Sequence, residues 1–182
     1  MFGFIKEFIK NPRIVGAVAP SGKRLAEKMI EDVDFRNCRC IVEYGPGTGV
    51  FTEKIIARKC EDTLFLVLEK NKAFCDDLDV KYGHKKNIKI INDGAENIKM
   101  YLEIYEINKV DYVVSGLPFA SLPKMISHMI LDNTKNILKP DGKFITFQYS
   151  LVKKEFMRTY FQSISTKRVM INFPPAYVLK CN

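Results

Sequence analysis

The chain has 182 residues, 47% of them hydrophobic and 12% aromatic, which suits one domain with an ample core. No apolar run is long enough to span a bilayer, the N-terminus lacks the apolar core of a secretory signal, and the five cysteines form no C-x-x-C pair. These features argue against an integral membrane or secreted protein, a disulfide framework and a zinc site, and the cysteines read as reduced thiols of a cytoplasmic protein. The net charge of +8 divides into +4 over residues 1–28, −3 over 29–132 and +7 over 133–182. Basic ends around an acidic middle favour an anionic partner, a membrane surface or nucleic acid, over merely solvated lysines.

Residues 1–33 read as a helical extension. Its first helix, 2–10, puts Phe2, Ile5, Phe8 and Ile9 on one face and Lys6 and Lys10 on another. That pattern fits a membrane-interface helix, or a helix packed on its own domain. Asn11-Pro12 ends it, and a second helix starts near Ser21, a good N-cap, and runs to about Ile30.

Strands and helices then alternate. The strands are 39–44, 63–68, 87–91, 110–115 and 143–149, and the helices are 50–59, 72–82, 95–105 and 123–138. A turn at Lys139-Pro140-Asp141-Gly142 precedes the fifth strand. Residues 151–161 read as helix, and 163–172 and 176–181 as two strands joined through Phe173-Pro174-Pro175. Alternation predicts an α/β fold: one domain over 1–182, a mainly parallel seven-stranded Rossmann-like sheet with helices on both faces. The last strand is antiparallel, because a parallel neighbour needs a long crossover.

In such a sheet a ligand lies outside the carboxyl ends of the strands. The first strand ends in Glu43-Tyr44-Gly45-Pro46-Gly47-Thr48-Gly49. The spacing G-x-G-x-G differs from the dinucleotide fingerprint G-x-G-x-x-G, and Val50 holds the position of its third glycine. A carboxylate at Glu43 repels a pyrophosphate but accepts from the ammonium of an amino acid. The second strand ends in Glu69, twenty residues after Gly49 and placed to accept two ribose hydroxyls. Asp93-Gly94-Ala95 follows the third strand, with Asp93 as acceptor for an adenine amino group. Ser115-Gly116-Leu117-Pro118-Phe119 follows the fourth, where an exposed Phe119 faces an acceptor unless it packs under the next helix.

These residues resemble the class I S-adenosylmethionine (SAM) methyltransferases. The resemblance makes SAM the cofactor, held by Glu43, Tyr44, Gly45, Gly47, Thr48, Gly49, Glu69, Lys70, Asp93, Gly94, Ala95 and Ser115. Two subfamilies share the Leu-Pro loop: the ribosomal RNA adenine dimethyltransferases and the bacterial phospholipid N-methyltransferases. The second is favoured by Asn11-Pro12 with the run from Gly16 to Ser21, by Val114 to Pro118, and by Asn172 to Val178. Adenine enzymes begin Asn-Leu-Pro-Tyr with an amide that accepts from the base; Gly116 has no side chain to do so. They also carry a C-terminal helical domain, which is not expected here.

The resulting expectation is a peripheral membrane enzyme that methylates the amine of a phosphatidylethanolamine-type lipid. An rRNA adenine, another membrane amine such as an ornithine lipid, or another small amine remains as an alternative acceptor, and a non-catalytic SAM-binding protein is the other rival reading. Gly116, Leu117, Pro118, Phe119 and Tyr177 are expected at the reaction site, with Phe119, Tyr149 and Tyr177 offering cation–π contacts. Lys153, Lys154, Arg158, Lys167 and Arg168 are candidates for lipid phosphate or the anionic surface. No general base stands out, since His84 and His128 fall away from the strand ends, and no metal is expected.

Overall fold

A computed structural model describes residues 20–170 and 175–182. The expected helix over 2–10, the stretch 11–19 and Asn172-Phe173-Pro174 lie outside the described residues. Helix α1 (Pro20–Ile30) leads into β1 (Cys40–Tyr44), α2 (Val50–Ile56), β2 (Leu64–Leu68), α3 (Lys72–Tyr82) and β3 (Ile88–Ile91). A short 3-10 turn (Ala95–Asn97) and α4 (Ile98–Ile104) precede β4 (Val110–Ser115) and α5 (Lys124–Ile137). The chain closes with β5 (Leu138–Gln148), α6 (Lys154–Arg158), β6 (Ile164–Val169) and β7 (Ala176–Cys181). α1 is described from Pro20, so Ser21 lies within the helix rather than ahead of it. Asn71 caps α3, its side-chain oxygen accepting from the N–H groups of Ala73 and Phe74.

The sheet order is β3-β2-β1-β4-β5-β7-β6. β7 enters between β5 and β6 and runs antiparallel to both. The strands are apolar on both faces because both are covered. One face packs Val42, Tyr44, Leu68, Val113 and Phe144 against α4 and α5. The other packs Ile41, Phe65, Val67, Val114 and Ile145 against α1, α2 and α3. Phe144 stacks on Phe161 at 5.4 Å and meets the edge of Phe119 at 6.0 Å. Truncating it to alanine would cost about 3–5 kcal/mol.

Two sequence expectations change. Lys139 to Gly142 is no free turn but a bulge inside β5: Val110 faces Leu138 while Tyr112 faces Lys143. Asp111 holds that bulge, accepting from the N–H groups of Arg39 and Cys40 at 2.9 Å and from the Lys139 ammonium. Lys167, a candidate for an external anion, is already engaged within the protein. It joins Lys28 and Lys180 around Glu31, at 2.8, 2.7 and 3.3 Å, and ties the end of α1 to the β6–β7 edge. Burial would raise the Glu31 carboxyl, but the three ammonium groups outweigh it and hold it at about 2.

Candidate functional site

Strands β1 to β5 run parallel, so their carboxyl ends share one edge of the sheet. At the end of β1 the chain takes left-handed turns at Gly45, Gly47 and Gly49, with φ of 61°, 57° and 85°. At Gly45 the need for glycine is also steric: a Cβ would lie 2.6 Å from Leu117 Cδ2. The loop is pinned by Gly45 N–H donating to Leu68 O at 2.9 Å. Glu69, 7% exposed, ties it from the other side. One of its oxygens accepts from Gly47 N–H at 3.0 Å and the other from Asn71 N–H at 2.8 Å. Each oxygen keeps a further lone pair for a ligand.

Asp93 is similarly engaged. It accepts from its neighbour Gly94 N–H at 2.7 Å, Asn97 Nδ2 at 2.9 Å and the Tyr101 hydroxyl at 2.9 Å. Burial would raise its carboxyl, but these donors hold it below the ordinary value. Lys70 is exposed and lies 3.7 Å from Glu96. Gly45, Glu69, Lys70, Asp93, Gly94, Ala95 and Leu117 line one cavity of about 170 Å³. Its far wall is Leu122, Pro123, Ile126 and Ile130, which sequence reasoning did not assign to the site. Their readable signal was the i, i+4, i+8 apolar stripe at the start of α5. A larger hollow of about 280 Å³, between Glu27 and Arg58, lies away from the strand ends.

Other expected residues occupy different places. Glu43 has no exposed surface. The alternation of β1 turns it under α2, where one oxygen accepts from the Thr52 hydroxyl at 2.8 Å. Its other oxygen has no partner among the described residues. Burial pushes the carboxyl up to about 8; the Thr52 hydroxyl offsets this in part and the Glu69 charge adds to it. Glu43 is therefore neutral near pH 7 and lies below the glycine loop, out of the open cavity. Tyr44 points to the opposite face, its hydroxyl 3.4 Å from Thr134 Oγ1 in the core. Only its backbone reaches the site, where its carbonyl accepts from Gly116 N–H at 2.8 Å. Thr48 is half-buried beside Gly47.

The loop after β4 packs tightly on the glycine turn. Ser115 is buried and its hydroxyl accepts from Leu117 N–H at 3.2 Å. A Cβ on Gly116 would stand 2.5 Å from the carbonyl oxygen of Gly45. Pro118 is half-buried, and its carbonyl accepts from Ser121 N–H at 2.8 Å. Phe119 does not face an acceptor: it is fully buried, edge-on to Phe144. The apolar core outcompetes the cavity for so large a ring.

On the far side of β4, Tyr177 of β7 stands between Gln148 of β5 and Arg168 of β6. The Arg168 guanidinium lies 5.7 Å from the Tyr177 ring centroid, so one face of that ring already has a cation. Tyr149 sits edge-on to Phe147, in the cluster on the opposite face. His128 packs on Phe156 and bonds the Tyr160 hydroxyl, between α5 and α6. His84 lies in the turn that leads to the amino end of β3. Among the described residues there is no group that could hold a metal ion and no helix long and apolar enough to cross a membrane.

Comparison with known proteins adds an independent view of this arrangement. A family model described as ribosomal RNA adenine dimethylase matches residues 21–170. An ornithine lipid N-methyltransferase of Singulisphaera acidiphila is 30% identical over 182 residues, 99% of this chain and 94% of that enzyme. A ribosomal RNA small subunit methyltransferase A of Borreliella burgdorferi is 30% identical over 109 residues, 60% of this chain but 36% of that protein. In fold, the chain is similar to a 1,6-didemethyltoxoflavin-N1-methyltransferase of Burkholderia thailandensis, solved with its substrate and S-adenosylhomocysteine. The TM-score is 0.71 at 11% identity, over 98% of this chain and 84% of that one.

Proposed function

The chain belongs to the ribosomal RNA adenine dimethylase family of SAM-dependent methyltransferases, and we propose that it methylates the amine of a zwitterionic lipid head group. The match along nearly the whole ornithine lipid enzyme carries this reading. Gly116 gives it a physical reason. An adenine acceptor calls for an amide at that position, and the Gly45 carbonyl at 2.5 Å leaves no room for a side chain there.

The cavity fits the cofactor through its own chemistry. Glu69 keeps a lone pair on each oxygen for the ribose hydroxyls. Asp93, with Gly94 and Ala95, takes the adenine edge, and Leu122, Ile126 and Ile130 flank the ring. Gly47 and Thr48 offer backbone to the amino-acid end, above the unpartnered oxygen of Glu43. Lys70 closes the mouth at the exposed end.

The bound cofactor supplies an electrophilic methyl group. The chain's contribution is position: Gly116, Leu117 and Pro118 are fixed to β1 through Tyr44 O and Gly45, which gives the acceptor a rigid wall. Proximity and alignment of this kind account for much of an enzymatic rate, with reacting atoms held about 3–3.5 Å apart. The amine must arrive neutral, and the apolar side chains of Leu117 and Leu122 disfavour its ammonium form. The methylated amine then releases one proton to water. Exposed Met125, Val152 and Leu151 beside Lys124, Lys153 and Lys154 support action at an anionic membrane surface.

The test is transfer of labelled methyl from SAM to anionic vesicles that contain ornithine lipid or phosphatidylethanolamine, with products resolved by thin-layer chromatography. Label in methylated lipid is the expected result. A preparation that binds SAM and labels neither lipid, but labels small-subunit rRNA, would overturn the reading.

A further inference from the structure

Three side chains at the β5–β7–β6 edge share one row. Tyr177 is paired with Gln148 on one side and with Arg168 on the other. Their strand neighbours Phe147, Val178, Ala176 and Val169 pack in the opposite face's cluster. Alternation therefore puts Gln148, Tyr177 and Arg168 on the face that also carries Tyr44 and Phe144. Gln148 is the last residue of β5, two beyond Thr146, which pairs with Ser115 at the end of β4. The row thus lies along the same edge as the Leu117 loop, on the side away from the 170 Å³ cavity.

Gln148 is 5% exposed, and its Nε2 has no partner among the described residues. A buried N–H without an acceptor costs its full desolvation, so such a group in a folded protein calls for an explanation. A ligand oxygen at this edge would supply one once the Gln148 side chain turns outward, since Nε2 is closed off in the fold as it stands. Arg168 adds an exposed cation two strands away, with its guanidinium held over the Tyr177 ring. Guanidinium and amide N–H donors along one row match an oxyanion, which accepts from both.

We propose that Gln148 and Arg168, with Tyr177 as the platform that orients the guanidinium, form the subsite for the acidic group of the acceptor. This rests on the lipid-amine reading and deepens it: the amine is presented at the Leu117 loop while its own acidic oxygen is anchored at the row. The phosphodiester of an ethanolamine head group and the carboxylate of an ornithine one share this chemistry. Tyr177 thereby serves Arg168, and not the developing ammonium of the product.

The test uses the full chain saturated with S-adenosylhomocysteine, titrated calorimetrically with glycerophosphoethanolamine or Nα-acetylornithine. Ethanolamine and inorganic phosphate serve as half-ligands. Arg168→Gln and Gln148→Leu should each weaken at least one complete mimic about tenfold, leaving ethanolamine and S-adenosylhomocysteine binding unchanged. Gln148→Leu should also raise Tm, since it removes the unpartnered donor; a merely structural glutamine would lower it. Unchanged mimic affinity in both variants, or no binding of either mimic to the parent protein, overturns the subsite. So does phosphate alone binding as tightly as glycerophosphoethanolamine. Lipid methylation by the parent protein with an unchanged lipid KM in Arg168→Gln overturns the subsite alone. Absence of lipid methylation bears on the function instead, and mimic binding then still decides the subsite.

Discussion

The two halves of the carboxyl edge are finished differently. Over β1, β2 and β3 the two carboxylates that line the cavity are held in place by protein donors, Glu69 by Gly47 and Asn71, Asp93 by Gly94, Asn97 and Tyr101, and only the deeper Glu43 keeps a buried oxygen without a partner among the described residues. Over β5, β7 and β6 a buried amide is left open, and large apolar side chains such as Met170 and Val152 stand in solvent. A half built for one invariant ligand can be preorganised down to individual lone pairs. A half that meets a varied or membrane-held partner leaves its polar groups to be satisfied by that partner.

The comparison can be tested hardest at Glu69. Glu69→Ala removes both the proposed ribose acceptor and the tie to Gly47, so SAM affinity should fall by roughly 100-fold, about 3 kcal/mol, in a calorimetric titration. Unchanged affinity would remove the assignment of this half to the cofactor.

Glu43 comes next, through pH. Its folded-state value of about 8 lies above the ordinary 4.5, so folding favours the neutral form. The stability it contributes is fully present below the lower value and is lost as pH rises through the upper one. The slope between them is about 1.4 kcal/mol per pH unit. Urea unfolding across that interval should show the loss, and Glu43→Gln should flatten it.

Gly116→Ala examines the seam between the halves. The added Cβ meets the Gly45 carbonyl at 2.5 Å and should cost about 1–3 kcal/mol, a Tm fall of roughly 2–4 °C per kcal/mol. Gly116→Asn should be worse still and should confer no activity on RNA. The smallest effect belongs to the outer half. Lys153→Gln should weaken binding to anionic vesicles by about 1 kcal/mol, roughly fivefold, and leave neutral vesicles unaffected.

The cofactor half was the more legible in sequence. Glycines with apolar runs on either side marked β1 and its turn, and the spacing to Glu69 followed from one helix and one strand. What sequence could not reveal was direction. β1 is buried on both faces, so no polar alternation showed that Glu43 faces α2 while Tyr44 faces the core. Phe119 read as a loop residue because its partner, Phe144, is distant in the chain. The row of Gln148, Tyr177 and Arg168 was hidden for a related reason. It exists only because β7 enters between β5 and β6, a non-local register that no local pattern encodes.

The burial of Phe119 bears on how the site opens. To swing Leu117 and Pro118 outward, the chain would have to pull Phe119 from the edge of Phe144, which itself stacks on Phe161. This loop is therefore no gate. Its amide protons, Gly116 above all, should exchange with solvent at the pace of the domain's deepest opening rather than of a surface turn. On the lipid-amine reading proposed above, acceptor and product therefore come and go past a threshold that stays still.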